Sequence, residues 1–218
     1  MHVYDHSENE LLVSLIMADT DVTRASAAGK LMIKPRSKSE VLSKTTKGYL
    51  EEWAKQQVYG VRKQIKSKYL DKGNAVEDAA IDYAAENLGW LFAKKNEEYF
   101  EDEYFCGTPD LILDDTIIDI KSSWDCFTFP LFEDEITNKD YYHQLQVYMH
   151  LTGKRKAELV YVLMNTPEEL TYEDSIDYSE VDSKYRIKRY EIEYNEEDIY
   201  ILQQVVLESR EYIKEITK

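Results

Sequence analysis

The residues best able to do chemistry lie in one stretch, Gly107-Thr108-Pro109-Asp110-Leu-Ile-Leu-Asp114-Asp115-Thr-Ile-Ile-Asp119-Ile120-Lys121. In a strand, Asp119 and Lys121 project from one face while Ile118 and Ile120 anchor the other. Asp114-Asp115 between LIL and TIID suits a tight hairpin turn, which folds Asp110 back beside Asp119. Two carboxylates and one ammonium then converge among apolar residues. Burying them costs desolvation unless something compensates. A hard divalent cation is the natural compensation: Mg²⁺ takes oxygen ligands at about 2.0–2.1 Å and keeps several waters. Asp110, Asp119 and the Ile120 carbonyl are candidate ligands, with Mn²⁺ as a substitute metal. Lys121 is the candidate to hold or deprotonate a water and to offset phosphate charge. The bland alternative is a surface hairpin with Asp119 and Lys121 as an exposed ion pair; the flanking LIL and II runs disfavour it.

The elements that must position these residues follow from pattern. Residues 8–33 carry apolar positions at helical spacing, and 31–40 read as a basic loop broken by Pro35. From Ser39 the pattern is helical through Trp53 and on toward Leu70, with Gly73-Asn74 as the break. Asn74 is then the expected cap of a helix to about Leu88, with Gly89 beyond its end and a stripe of Val76, Ala80, Tyr83, Ala84 and Leu88. YFEDEYFCGTPDLIL and TIIDIKSSW read as two strands with apolar residues on both faces, hence a sheet covered on both sides. Thr137 or Asn138 starts a helix ending at Gly153. Residues 157–165 form a strand, 166–184 an irregular acidic excursion, and 185–194 another strand. Asn195 with Asp198 resembles a capping pair for a last helix. The order implies an α/β layer fold, with a mixed central sheet flanked by helices.

The chain has 218 residues, enough for one packed domain and short for two. Hydrophobic residues make up 43%, which excludes wholesale disorder. No apolar run approaches the roughly 18 residues of a membrane span, so no membrane association is expected. The start, MHVYDHSENE, shows no basic stretch ahead of an apolar one, so no secretory signal is expected either. Cys106 and Cys126 make neither a disulfide framework nor a four-cysteine iron–sulfur site, and a reduced, cytoplasmic setting is expected. The net charge of −16 argues against a nucleic-acid partner on average, yet the charge is segregated. Residues 22–72 hold 13 Lys+Arg against 4 Asp+Glu, a balance of +9, which leaves −25 on the remainder. Such asymmetry suits a polyanion-binding face, although a solvated helical surface gives the same count.

The pattern Pro109-Asp110 followed by Asp119-x-Lys121 resembles the PD-(D/E)XK nuclease signature. Glu77, in G-N-A-V-E, resembles the acidic residue upstream of it; a Glu in the first turn of a helix, favoured by the macrodipole, is the plainer alternative. His143-Gln144-Leu145-Gln146-Val147-Tyr148 resembles the Q-x-x-x-Y motif of RecB-like and phage-exonuclease members, with Gln144 and Tyr148 on one helix face. Thr23-Arg24-Ala25-Ser26 and Lys34-Pro35-Arg36-Ser37 are similar to the entry segment of lambda-exonuclease and YqaJ-like viral recombinase relatives. The arginine those relatives carry just upstream has no counterpart here, since residues 14–22 hold no basic side chain. Arg24 or Arg36 is the candidate substitute. The motifs occur in the family's order across about residues 20–165.

The resemblance implies a restriction-endonuclease-like fold in a single domain over 1–218. It comprises a basic DNA-entry segment at about 22–72, a catalytic core at about 73–165 and a terminal strand and helix at about 185–217. It implies a Mg²⁺-dependent exonuclease of phage or prophage recombination, degrading one strand of linear double-stranded DNA from the 5′ end. Glu77, Asp110, Asp119 and Ile120 would bind metal. Lys121 and Gln144 would complete the catalytic set, with Gln144 orienting Lys121 or the scissile phosphate. Arg24, Ser26, Lys34, Arg36, Thr108 and Tyr148 would meet DNA, Tyr148 either packing or touching it. A single-strand annealing protein as partner and a trimeric ring are implied as well. Alternatives are a structure-specific or restriction-type endonuclease of the same fold, and a catalytically silent DNA-binding scaffold.

Overall fold

The computed structural model describes residues 23–91, 93–171 and 176–218. The expected helical segment at 8–33 therefore lies largely outside the described residues, and so does part of the 166–184 excursion. Strand β1 (Thr23–Arg24) leads through a 3₁₀ turn into the short helix α1 (Ala28–Leu31). Helices α2 (Lys44–Val58) and α3 (Lys68–Leu88) follow, then strands β2 (Phe100–Glu101), β3 (Phe105–Gly107), β4 (Leu111–Leu113) and β5 (Thr116–Ser122). Helix α4 (Lys139–Thr152), strand β6 (Lys156–Val162), strand β7 (Ile187–Glu193) and helix α5 (Glu196–Ile216) complete the chain.

The central sheet has the order β4-β5-β6-β7, with β5 and β6 parallel and both outer pairs antiparallel. A small sheet, β1-β3-β2, stands beside it. The expected mixed sheet is present, and it is covered on both faces. On one face Ile117, Ala157 and Leu159 pack with Leu145 and Met149 of α4 and with α5. On the other, Leu111, Ile118, Ile120 and Val160 pack under Ala80, Ile81 and Ala84 of α3. Parallel pairing of β5 with β6 demands a crossover, and α4 supplies it.

Four expectations are corrected. Helix α2 ends at Val58, where Gly60 adopts φ +61°, and residues 61–67 are not helical. Helix α3 begins at Lys68 and runs through Gly73-Asn74, so Asn74 is no cap and Glu77 lies in the third turn. The weak propensity of Gly and Asn, about 1 kcal/mol for Gly, is overridden by tertiary anchoring. Lys72, fully buried, donates to the carbonyls of Trp124 and Met164, both at 2.7 Å. Residues 99–113 are not one strand either. Asp102 accepts the N–H groups of Tyr104 and Phe105, and this turn folds β2 back on β3. Finally, Asn195 caps α5 through the N–H groups of Glu197 and Asp198, but Asp198 does not return the bond; it accepts from the Tyr142 hydroxyl.

Candidate active site

The hairpin β4–β5 turns at Asp114, whose φ of 49° is tolerated by an acidic side chain in a tight turn. Its register pairs Leu111 with Ile118, which sets Asp110 beside Asp119. Asp110 Oδ2 accepts the Ile120 N–H at 2.7 Å. Asp119 points into the α4 side of the sheet and is 1% exposed, so the exposed-pair alternative is excluded. Lys121 Nζ stands 2.6 Å from Asp119 Oδ2. Gln144, from the crossover helix, donates through Nε2 to Asp119 Oδ1 at 3.3 Å and to the Tyr148 hydroxyl at 3.0 Å. Gln144 thus orients Asp119 rather than Lys121.

The two carboxylates repel each other in a dry setting. Burial, then the charge of Asp119, push the Asp110 carboxyl up to about 7 against the pull of Lys121 and the Ile120 N–H. Burial works to lower Lys121, but Asp119 and Asp110 outweigh it and hold the ammonium above its ordinary value. Asp119 Oδ2 is buried and receives no hydrogen bond of good geometry. A buried carboxylate oxygen whose partner is the Lys121 ammonium, beside a second carboxyl pushed up by repulsion, is a donor set that fits a hard divalent cation. Among the described residues no cluster of three or more Asp, Glu, His or Cys side chains forms a metal cage. Glu77 of α3 is paired with Lys95 at 3.0 Å, which also holds Asp78 at 3.0 Å, and the charge of Glu77 adds to the repulsion on Asp110.

The entry-segment residues divide. In β1, Arg24 pairs with Cys106 of β3, and Ala25 packs beside Gly107, so the Arg24–Ser26 stretch adjoins Thr108. Arg24, Ser26 and Thr108 are all exposed there. Lys34 and Arg36 are exposed on the loop after α1 and form no ion pair among the described residues. Tyr148 is buried, its ring against Gly107, so of its two implied roles the structure shows packing. Gln146 is also buried, donating to Glu193 O and accepting from Asn195 N–H, which ties α4 to the β7–α5 junction.

Two features near the site went unread in the sequence, Tyr141 and the lysine pair on Trp124. Tyr141 faces Lys121, its ring centroid 5.0 Å from Nζ. Its signal was available: it lies three residues before Gln144, on the same helix face. Lys72 and Lys68 grip Trp124, three residues beyond Lys121, Lys68 Nζ lying 4.5 Å from the indole. The Lys72–Trp124 contact spans 52 residues and leaves no local pattern.

An Asp–Asp–Lys constellation on a β-hairpin, buried at Asp119 and braced by a Gln from a crossover helix, has the make-up of a nuclease-type site. The solved structure of a phage-related exonuclease from Haemophilus somnus 129PT has 30% identity and a TM-score of 0.81, covering 89% of this chain and 94% of that one. The chain belongs to this phage-related, lambda-exonuclease-like family, and is an enzyme of the nuclease class. An alkaline exonuclease from Laribacter hongkongensis shares the fold at 16% identity and a TM-score of 0.67, with 94% of each chain covered. No protein-family model matches the chain, and no curated protein matches it. Among the described residues no helix is long and apolar enough to cross a membrane.

Proposed function

We propose that the protein is a Mg²⁺-dependent exonuclease that hydrolyses one strand of linear double-stranded DNA from the 5′ end, with Mn²⁺ as a substitute metal. The observation that carries this reading is the buried Asp110–Asp119 pair with Lys121 at 2.6 Å from Asp119, in a chain of the exonuclease family. Asp110, Asp119 and the Ile120 carbonyl would hold the metal, which when bound polarises the phosphodiester and lowers the pKa of water. Gln144 fixes the Asp119 carboxylate so that its Oδ2 stays turned to the site. Lys121 offsets phosphate charge and holds the attacking water. The exposed cations Arg24, Lys34 and Arg36, with Ser26 and Thr108, would meet the DNA backbone. The acidic remainder of the surface would repel DNA and confine it to that face. A single-strand annealing protein would take the 3′ strand left behind.

The test is cleavage of linear duplex DNA with a labelled 5′-phosphate, with Mg²⁺, with EDTA, and with Asp119→Ala, beside a covalently closed circle. Mg²⁺-dependent loss of the linear DNA alone, abolished in the variant, is expected. Cutting of the circle would replace this reading with an endonuclease; binding without cleavage of either substrate would replace it with a silent DNA-binding protein.

A further inference from the structure

Lys121 ends in a flexible four-carbon stem, so its ammonium has many positions open to it and needs holding. Asp119 holds it from one side, at 2.6 Å and away from ideal hydrogen-bond geometry. Tyr141 closes the other side, its ring centroid 5.0 Å from Nζ, within cation–π range. Tyr141 belongs to the first turn of α4. One face of that helix therefore delivers three contacts: Tyr141 to Lys121, Gln144 to Asp119, and Tyr148 to Gln144.

The ring is itself braced. Tyr161 of β6 is the cross-strand partner of Lys121 and meets Tyr141 edge-on, with centroids 6.3 Å apart and planes at 64°. Tyr190 of β7 meets Tyr161 in turn at 6.1 Å and 83°. Edge-to-face pairs of this kind favour a single ring orientation. The Tyr141 hydroxyl forms no hydrogen bond among the described residues, so its ring is what engages the site.

We infer that Tyr141 is a positioning residue for hydrolysis: the face of its ring, and not its hydroxyl, holds the Lys121 ammonium over Asp119. This rests on the assignment of Lys121 to phosphodiester hydrolysis. Without the ring, the ammonium samples rotamers pointing away, and fewer bound complexes are competent. The groups assigned to the DNA backbone, Arg24, Ser26, Lys34, Arg36 and Thr108, are untouched, so the loss falls on kcat and not on KM.

The experiment compares Tyr141→Phe and Tyr141→Leu with the wild type in steady-state cleavage of 5′-phosphorylated linear duplex with Mg²⁺. Tyr141→Leu lowers kcat about 5- to 30-fold at unchanged KM, and Tyr141→Phe keeps kcat within about twofold. A second readout needs no activity. In metal-free protein labelled at the lysine ε-carbon, the Lys121 ε-protons shift upfield from the ring current in the wild type and in Tyr141→Phe, and lose that shift in Tyr141→Leu. Should Tyr141→Leu melt far below the wild type, Tyr141→Met serves in both measurements. Equal damage from Phe and Leu would assign the role to the hydroxyl and overturn the inference. So would a raised KM with kcat unchanged, or an unshifted Lys121 signal in the wild type. A wild type that cleaves no DNA but shows the shifted signal sinks the nuclease reading and keeps the Lys121–Tyr141 contact.

Discussion

Asp110 accepts the backbone N–H of Ile120, so the first carboxylate is bonded to the very strand that carries the second. The hairpin cannot loosen without separating the two acids. Its cost is visible in Asp110, whose carboxyl rises to about 7 through burial and the neighbouring Asp119.

A raised carboxyl disfavours the folded state as it ionises. Between the unfolded value near 4 and the folded value near 7, the native protein holds the extra proton, and stability falls as pH rises. In EDTA, Asp110→Asn is therefore expected to be more stable than the wild type at pH 8, by about 1–3 kcal/mol, with no such gain at pH 4. With millimolar Mg²⁺ the order reverses at pH 8, because only the wild type gains from binding. Thermal melts at the two pH values decide this; an Asp110→Asn variant less stable than the wild type at pH 8 in EDTA would refute the repulsion.

Gly107 is the one glycine that the site itself requires. A Cβ there would lie 2.7 Å from Tyr148 Cε1 and 3.1 Å from Ala25 Cβ. Gly107→Ala is expected to cost about 1–3 kcal/mol and to displace the Tyr148–Gln144–Asp119 chain, lowering kcat. Tyr148→Leu in the same chain should return part of the stability but not the activity. Recovery of neither in the double variant would mean that Ala25, not Tyr148, sets the clash.

Lys72 is buried at full depth, and burial lowers its pKa to about 8 against the pull of Asp125. Below pH 8 the fold bears the whole cost of the buried charge. From about 8 to the unfolded value near 10.5 the native state has already released its proton, so stability rises relative to Lys72→Met. Denaturant titrations of both proteins at pH 7 and pH 9.5 should show the wild type gaining on the variant by about 1 kcal/mol or more. A constant difference would show that the amine titrates normally.

Arg24, Lys34 and Arg36 are exposed on the basic N-terminal part of the chain. Each phosphate contact adds about −0.9 to the slope of log K against log salt. The triple substitution to alanine should flatten that slope by about 2 to 3 for duplex binding in Ca²⁺, while Lys44→Ala and Lys55→Ala on α2 change it by less than the triple. An unchanged slope in the triple variant would move the DNA to another face.

The hairpin and the last four helices and strands were legible because their signals are local. Alternation in TIIDIK, the acidic turn at Asp114-Asp115, Asn138 and Asn195 as caps and Gly153 as a stop each act within a few residues. The start of α3 was not legible, since Lys72 finds its partners 52 and 92 residues away. Gly73 and Asn74 read as a break only when those partners are unknown. Of the site, Asp110, Asp119 and Lys121 were readable from type and spacing and Gln144 from the family resemblance, and the structure brings those four together. The pairing of Glu77 with Lys95 was not legible, because Lys95 lies across a loop and no local spacing joins the two.

The crossover through α4 also carries a consequence for biosynthesis. A ribosome releases the hairpin with Asp110, Asp119 and Lys121 well before it releases Gln144, and β6 emerges later still. Until β6 pairs alongside β5, α4 lacks the floor that Ala157 and Leu159 supply under Leu145 and Met149. A nascent or prematurely terminated chain ending before β6 thus carries the acids, the lysine and Gln144, but not the completed packing beneath them.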